Sequence, residues 1–172
     1  MRKEEKNTAF AAIFRRLAEG EVSLMRALIL SRVAWMDEVG IHQWNDTDYD
    51  TVYPPAYYRQ CFEKGELYGL FDGEGVMLAA AALKENDARW PSDNTPAYYV
   101  HHLASRLGAK GAGARCLAAI EEHARRNGKA YVRLDSAVDN EMLREYYTAR
   151  GYIPVGRCID GAYEGILREK KL

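Results

Sequence analysis

The chain has 172 residues, 48% of them hydrophobic and 28% charged, with a formal net charge of −1 at pH 7. That length suffices for one domain whose core needs no disulfide or metal, and the near-neutral charge excludes a general attraction to nucleic acid or an anionic membrane. No apolar run reaches the length of a membrane span, and the opening MRKEEKN lacks the apolar segment of a secretory signal.

A cytoplasmic location is therefore expected. The cysteines Cys61, Cys116 and Cys158 are odd in number and match neither a disulfide framework nor a zinc spacing. Residues 1–8 read as a frayed start. A short strand over Ala12–Leu17 precedes a helix over Glu21–Glu38, with Leu24, Leu28, Ser31 and Trp35 as its apolar stripe and Gly40 as its stop. The polar, aromatic segment Ile41–Tyr53 reads as a loop. Pro54 and Pro55 suit the first turn of a second helix that ends before Gly65.

Strands over Leu67–Phe71 and Val76–Lys84 follow, joined by a DGEG turn, and Asn86–Thr95 reads as a second loop. A strand over Ala97–Ala104 then runs through a glycine-rich turn into a helix over Gly111–Arg126. That helix carries Gly113, Cys116, Leu117, Ile120 and Ala124 on its apolar face. Ala130–Asp135 is a strand, and Glu141–Arg150 is a helix capped by Asn140 and stopped by Gly151. Strands Tyr152–Cys158 and Ala162–Arg168 pair across Asp160-Gly161. The order predicts a single mixed α/β (α+β) domain over residues 1–172, with a central, mostly antiparallel sheet of about seven strands flanked by helices.

The glycine turn carries the first chemical signal. Gly108, Gly111 and Gly113 would expose backbone N–H groups at a helix start, where the orphan amides and the helix dipole both favour an anion. The alternative is a tight turn that needs glycine only for its backbone angles. A P-loop does not fit, because Lys110 precedes Gly111 and no hydroxyl follows. A dinucleotide fold fits poorly: its third glycine would fall at Cys116, and too few residues remain for a doubly wound sheet.

Residues 103–113, LASRLGAKGAG, resemble the coenzyme-binding motif of the GNAT superfamily of acyl-CoA N-acyltransferases. In that family a strand leads into Arg/Gln-x-x-Gly-x-Gly/Ala. Residues 140–152, NEMLREYYTARGY, resemble a second motif of the family, with Asn140, Tyr147, Gly151 and Tyr152 in register. Two departures stand out. Gly108 occupies the Arg/Gln position, and the turn is shorter than usual; Lys110 or Arg106 would then supply the missing positive charge.

The resemblance implies direct transfer of an acetyl group from acetyl-CoA to an amine, with no metal. It assigns Leu103, Ser105, Gly108, Ala109, Lys110, Gly111, Ala112, Gly113, Asn140 and Tyr147 to the coenzyme, mostly through backbone groups. Tyr147 takes the general-acid position. His101 is the preferred base, because on a regular strand Tyr99, His101 and Leu103 share one face and His102 the other; His102 is the runner-up, because a bulge would reverse that parity. Tyr99 and Trp44 are assigned to the acceptor side, and the acidic, aromatic segment 37–50 reads as a rim for a cationic amine. The acceptor is a small-molecule or peptide amine, with no nucleic-acid or membrane partner, and a homodimer is compatible with the fold. A non-catalytic acyl-CoA-binding or regulatory module on the same fold is the rival reading.

Overall fold

The computed structural model describes residues 11–172; the start expected to fray lies outside them. Seven strands form one sheet in the order β1-β2-β3-β4-β5-β7-β6. They are β1 (Ile13–Arg16), β2 (Leu67–Phe71), β3 (Met77–Lys84), β4 (Ala97–Ser105), β5 (Tyr131–Ala137), β6 (Ile153–Asp160) and β7 (Tyr163–Lys171). All neighbours pair antiparallel except β4 and β5, which are parallel. A parallel pair cannot be joined by a tight turn. The connection is helix α4 (Ala112–Arg126), which packs its Ala112, Cys116, Leu117, Ile120 and Ala124 on the sheet as the sequence pattern predicts.

The opposite face is covered by helices α1 (Val22–Val39) and α3 (Pro55–Glu63). Strand β3 sits between the two layers. Its Ala79 and Ala81 face α4, its Ala80 and Ala82 face α1 and α3, and all four are fully buried. Four small side chains in a row let helices approach closely on both sides. A third cluster, Trp90, Ala97, Tyr99, Cys158 and Leu167, lies under the loop 85–96.

Three expectations need correction, the third of them in β4. The buried stripe of α1 is Met25, Leu28, Ile29 and Met36, while Leu24 is 55% exposed. The helix is apolar on most of its circumference, so periodicity alone did not single out the inward face. The segment expected to be a loop contains a 3₁₀ turn, Trp44–Asp46, and a four-residue helix α2, Tyr49–Val52. Tyr49 of α2 is buried and holds this short helix against the core. All three cysteines are buried and free.

Strand β4 contains the irregularity that matters most. Ala80 pairs with Ala104 and Ala82 with His101, so β4 carries one residue more than β3 over that stretch. The extra residue is accommodated at His102, whose φ is 55°. Such a bulge breaks the alternation of faces. His101 lies opposite Ala82, and His102 packs among Tyr49, Tyr53, Tyr57 and Tyr58, so both histidines point to the α1/α3 side. Leu103 instead packs with the α4 cluster. His101 and His102 thus share one face and Leu103 takes the other, where a regular strand would have grouped His101 with Leu103.

Candidate functional site

Strands β4 and β5 pair only at Ala97–Tyr131, Tyr98–Val132 and Tyr99–Arg133, and then diverge. From Val100 to Ser105 the β5-side edge of β4 is open and borders a cavity of ≈ 800 Å³. An open edge offers backbone donors and acceptors to any slim, extended ligand. Arg32 of α1 fixes the end of this edge, its guanidinium donating to the Ser105 carbonyl and, at 2.7 Å, to Ser105 Oγ.

The glycine turn closes one end of the cavity. Gly108 and Gly111 have φ of 81° and 75°, which a β-branched residue could adopt only under strain. The N–H groups of Gly108, Gly111, Gly113 and Ala114 donate to no backbone carbonyl among the described residues. Helix α4 starts here, so its positive end faces the same space. A Cβ at Gly113 would meet Ser105 Oγ and Tyr146 Oη at 3.7 Å, an ordinary contact, consistent with a position that tolerates Gly or Ala. Arg106 turns its Nε to the Met77 carbonyl at 3.0 Å. Lys110 is exposed and lines the cavity.

Helix α5 (Glu141–Thr148) forms the far wall. Asn140 caps it, accepting from Leu143 N at 3.0 Å, and its Nδ2 donates to Gln43 Oε1 at 2.7 Å. The two adjacent tyrosines divide the wall. Tyr146 stands against Gly113 with the Arg150 guanidinium 3.5 Å over its ring. Tyr147 is buried and lines the cavity beside Leu143, and burial raises its phenol above the ordinary tyrosine value. It stays protonated at neutral pH.

The other end of the cavity is built from side chains. His102 contacts Tyr49 Oη through Nδ1 and Tyr57 Oη at 2.8 Å through Nε2. Burial, then the charges of His101, Lys84 and Arg89, push its pKa far down, so the ring is neutral. His101 Nδ1 accepts from Arg89 at 2.9 Å, and its Nε2 lies 3.1 Å from Asp87 Oδ2 without the alignment of a hydrogen bond. Burial works to raise the Asp87 carboxyl, but His101 and Arg89 outweigh it and hold the group below the ordinary carboxylate range. Arg89 reaches Asp135 Oδ1 at 3.3 Å, and Tyr163 donates to Asp135 Oδ2 at 2.7 Å. Asp160 lies at the same mouth.

The sequence-predicted residues therefore converge on one cavity, all but Ala112 and Tyr99 lining it. Leu103, Ser105, Gly108, Ala109, Lys110, Gly111, Gly113, Asn140, Tyr147, His101, His102 and Trp44 line it, and Ala112 sits just behind as the first residue of α4. Tyr99 does not line it: its hydroxyl accepts from Arg133 at 3.0 Å, under Trp90. The acids of segment 37–50 also turn away. Asp46 faces His42, Asp37 accepts from Asn45, and Asp50 pairs with Arg26. The carboxylates in the cavity are Asp135 and Asp160, which the sequence reading had not assigned to this site. Arg89 and Tyr163 were missed as well; no local spacing links them.

Among the described residues, no group of three or more His, Cys, Asp or Glu side chains is arranged to hold a metal, and no helix is long and apolar enough to cross a membrane.

Comparison with known proteins gives a consistent result. Residues 30–152 match the acetyltransferase (GNAT) family. A GNAT-family acetyltransferase from Listeria monocytogenes superposes with a TM-score of 0.74 at 21% identity, over 94% of this chain and 95% of that one. A GNAT-family acetyltransferase from Streptococcus agalactiae gives 0.70 at 20%, over 95% and 97%. The PaiA N-acetyltransferase of Thermoplasma acidophilum, solved in complex with coenzyme A, gives 0.69 at 16%, over 94% and 99%. A search of curated protein sequences returns no match.

Proposed function

Because the chain belongs to the GNAT acetyltransferase family, we propose that it transfers an acetyl group from acetyl-CoA directly to a cationic amine of a small molecule or peptide. The observation that carries this reading is the coincidence, in one cavity, of the open β4 edge, the glycine turn and the Tyr147 phenol. The open edge from Val100 to Ser105 suits the amide-bearing arm of coenzyme A as an added strand. The free amides at Gly108, Gly111 and Gly113, on the positive end of α4, suit its pyrophosphate.

The reaction forms a C–N bond and breaks a C–S bond. The acceptor must first lose a proton, since an alkylammonium titrates near ~10.4 and only the neutral amine attacks. The departing thiolate must then gain one. Tyr147, kept protonated by burial, donates that proton and is reprotonated from solvent. His101 is the base. Its lone pair lies on Nδ1, which accepts from Arg89, so proton uptake requires Arg89 to lean onto Asp135 and Asp87 alone. His102 is unsuited, because burial and its tyrosine partners hold it neutral.

Charge divides the cavity. Arg32, Arg106, Lys110 and Arg150 line the end by the glycine turn, while Asp135 and Asp160 against Arg89 line the other. The first suits coenzyme phosphates, the second an ammonium group, with Trp44 and Tyr53 as aromatic walls.

The test is thiol release from acetyl-CoA across a panel of cationic, neutral and anionic amines. Turnover with cationic amines is expected. Turnover confined to anionic amines would overturn the acceptor assignment. Acetyl-CoA binding with no turnover on the whole panel would favour the acyl-CoA-binding module.

A further inference from the structure

His102 of β4 has a φ of 55°, a left-handed backbone that a side chain of this size keeps only where its surroundings enforce it. It is buried and lines the cavity. A neutral imidazole has one donor and one acceptor nitrogen, and here both are engaged. Nδ1 meets the hydroxyl of Tyr49 on α2, and Nε2 meets that of Tyr57 on α3 at 2.8 Å. A hydroxyl can donate or accept, so two tyrosines satisfy the ring without any charge. The rings of Tyr53 and Tyr57 stand edge-on to it, at 4.5 and 5.3 Å.

The consequence lies in the residues that follow. Before the bulge, His101 is opposite Ala82; after it, Ala104 is opposite Ala80 and Ser105 opposite Ala79. Without the extra residue, Leu103 would face Ala80, and Leu103, Ala104 and Ser105 would each turn to the other side of the sheet. Ser105 would then leave Gly113, beside which its Oγ now lies. The backbone would slip as well. Arg106 N donates to the Leu78 carbonyl of β3, so the Ser105 carbonyl of the same peptide points the other way, to the open edge where Arg32 meets it. A regular strand would present a different set of amides and carbonyls on that edge.

We propose that His102, held between Tyr49 and Tyr57, is a positioning residue that sets which backbone groups of β4 face the coenzyme arm. This rests on the reading of the open edge as the seat of that arm. His102 exchanges no proton in this role. The pairing of His101 with Ala82 fixes the strand before the bulge, and Arg32 fixes it at Ser105. Between those two points, the ring of His102 is tied by its hydrogen bonds to helices outside the sheet.

The experiment measures binding of coenzyme A, and of its phosphorylated ADP half, which lacks the arm. The full chain is compared with the double variant Tyr49→Phe, Tyr57→Phe, with Tyr57→Phe alone, and with His102→Asn and His102→Val. Folding is checked by thermal melting. The double variant keeps both rings and removes both hydroxyls. It is expected to bind coenzyme A about tenfold more weakly, the scale for a buried polar group left without partners, and to bind the ADP half as the full chain does. Tyr57→Phe, expected to lose severalfold, serves if the double variant fails to fold. Asparagine accepts a left-handed backbone and valine does not. His102→Val should therefore bind coenzyme A about tenfold more weakly than His102→Asn, the scale of strain at such a position, although valine is the more apolar residue at a buried site.

Unchanged coenzyme A affinity in the folded tyrosine variants would overturn the proposal. So would equal losses for coenzyme A and its ADP half, since a loosened fold weakens both. Equal coenzyme A affinity in His102→Asn and His102→Val would remove the backbone role of His102. Coenzyme A binding no tighter than that of the ADP half in the unaltered chain would overturn the reading of the edge itself. Tighter binding that the double variant retains in full would overturn the His102 assignment alone.

Discussion

The two ends of the cavity are built on different principles. The end at the glycine turn is made of backbone: the open edge of β4, the amides of Gly108 to Ala114 and the start of α4. The opposite end is made of side chains from five separate stretches: α1–α2, the loop 85–96, the two histidines of β4, the end of β5 and the β6–β7 turn. Backbone recognition suits a ligand common to many enzymes, because it depends on the course of the chain rather than on particular residues. Side-chain recognition suits a ligand that varies. One end can stay fixed while the other is rebuilt.

The comparison makes distinct demands on variants. The largest effect is expected where the two ends meet. Tyr147→Phe should lower kcat by about a hundredfold or more, the low end for a lost general acid, with acetyl-CoA and acceptor KM little changed. A substantial rise in either KM would instead make Tyr147 a binding residue. Next, Asp135→Asn should raise the acceptor KM by about tenfold, the scale of one charge-assisted hydrogen bond, and leave acetyl-CoA affinity intact. An equal loss for both substrates would erase the division between the ends.

Smaller still is Lys110→Ala. An exposed lysine acts on a phosphate through a screened charge, so a few-fold loss of acetyl-CoA affinity is expected at low salt and almost none at high salt. A loss unaffected by salt would mean that the turn relies on side chains after all.

The smallest effect is on stability. His102 has its pKa lowered by burial, so the folded state resists a proton that the unfolded chain accepts below the ordinary value of 6.5. Stability is fully present above that value and declines as pH falls beneath it. Thermal melting between pH 7 and 5 should show a drop of a few degrees that is reduced in His102→Asn, a residue that also tolerates positive φ. His123, lowered in the same direction, adds to the same window in both proteins. A pH slope unchanged in the variant would place the sensitivity elsewhere.

The same division explains what the sequence revealed. Asn140, Tyr147 and Gly151 belong to one helix and its flanks, so their spacing survives as a readable pattern. Gly108 to Gly113 are likewise contiguous. Regular alternation puts His101 and His102 on opposite faces, and the bulge that would change this, which the sequence allows but does not locate, is present in β4 and puts both on one face. Arg89, Asp135, Asp160 and Tyr163 meet only after the sheet has formed, with β5 and β7 adjacent although α5 and β6 separate them in sequence. The acids of segment 37–50 showed the converse error. Asp46 and Asp37 are taken up by His42 and Asn45 of the same segment and Asp50 by Arg26 of α1, and none of the three lines the cavity.

The divergence of β4 from β5 has one more consequence, for solubility. A sheet edge with free N–H and C=O groups is a template for aggregation when it faces outward. Here the unpaired stretch of β4 opens into a cleft inside the sheet, flanked by α5 and the short helix α2. The unpaired backbone is thus held within the fold and not along the outer rim of the sheet.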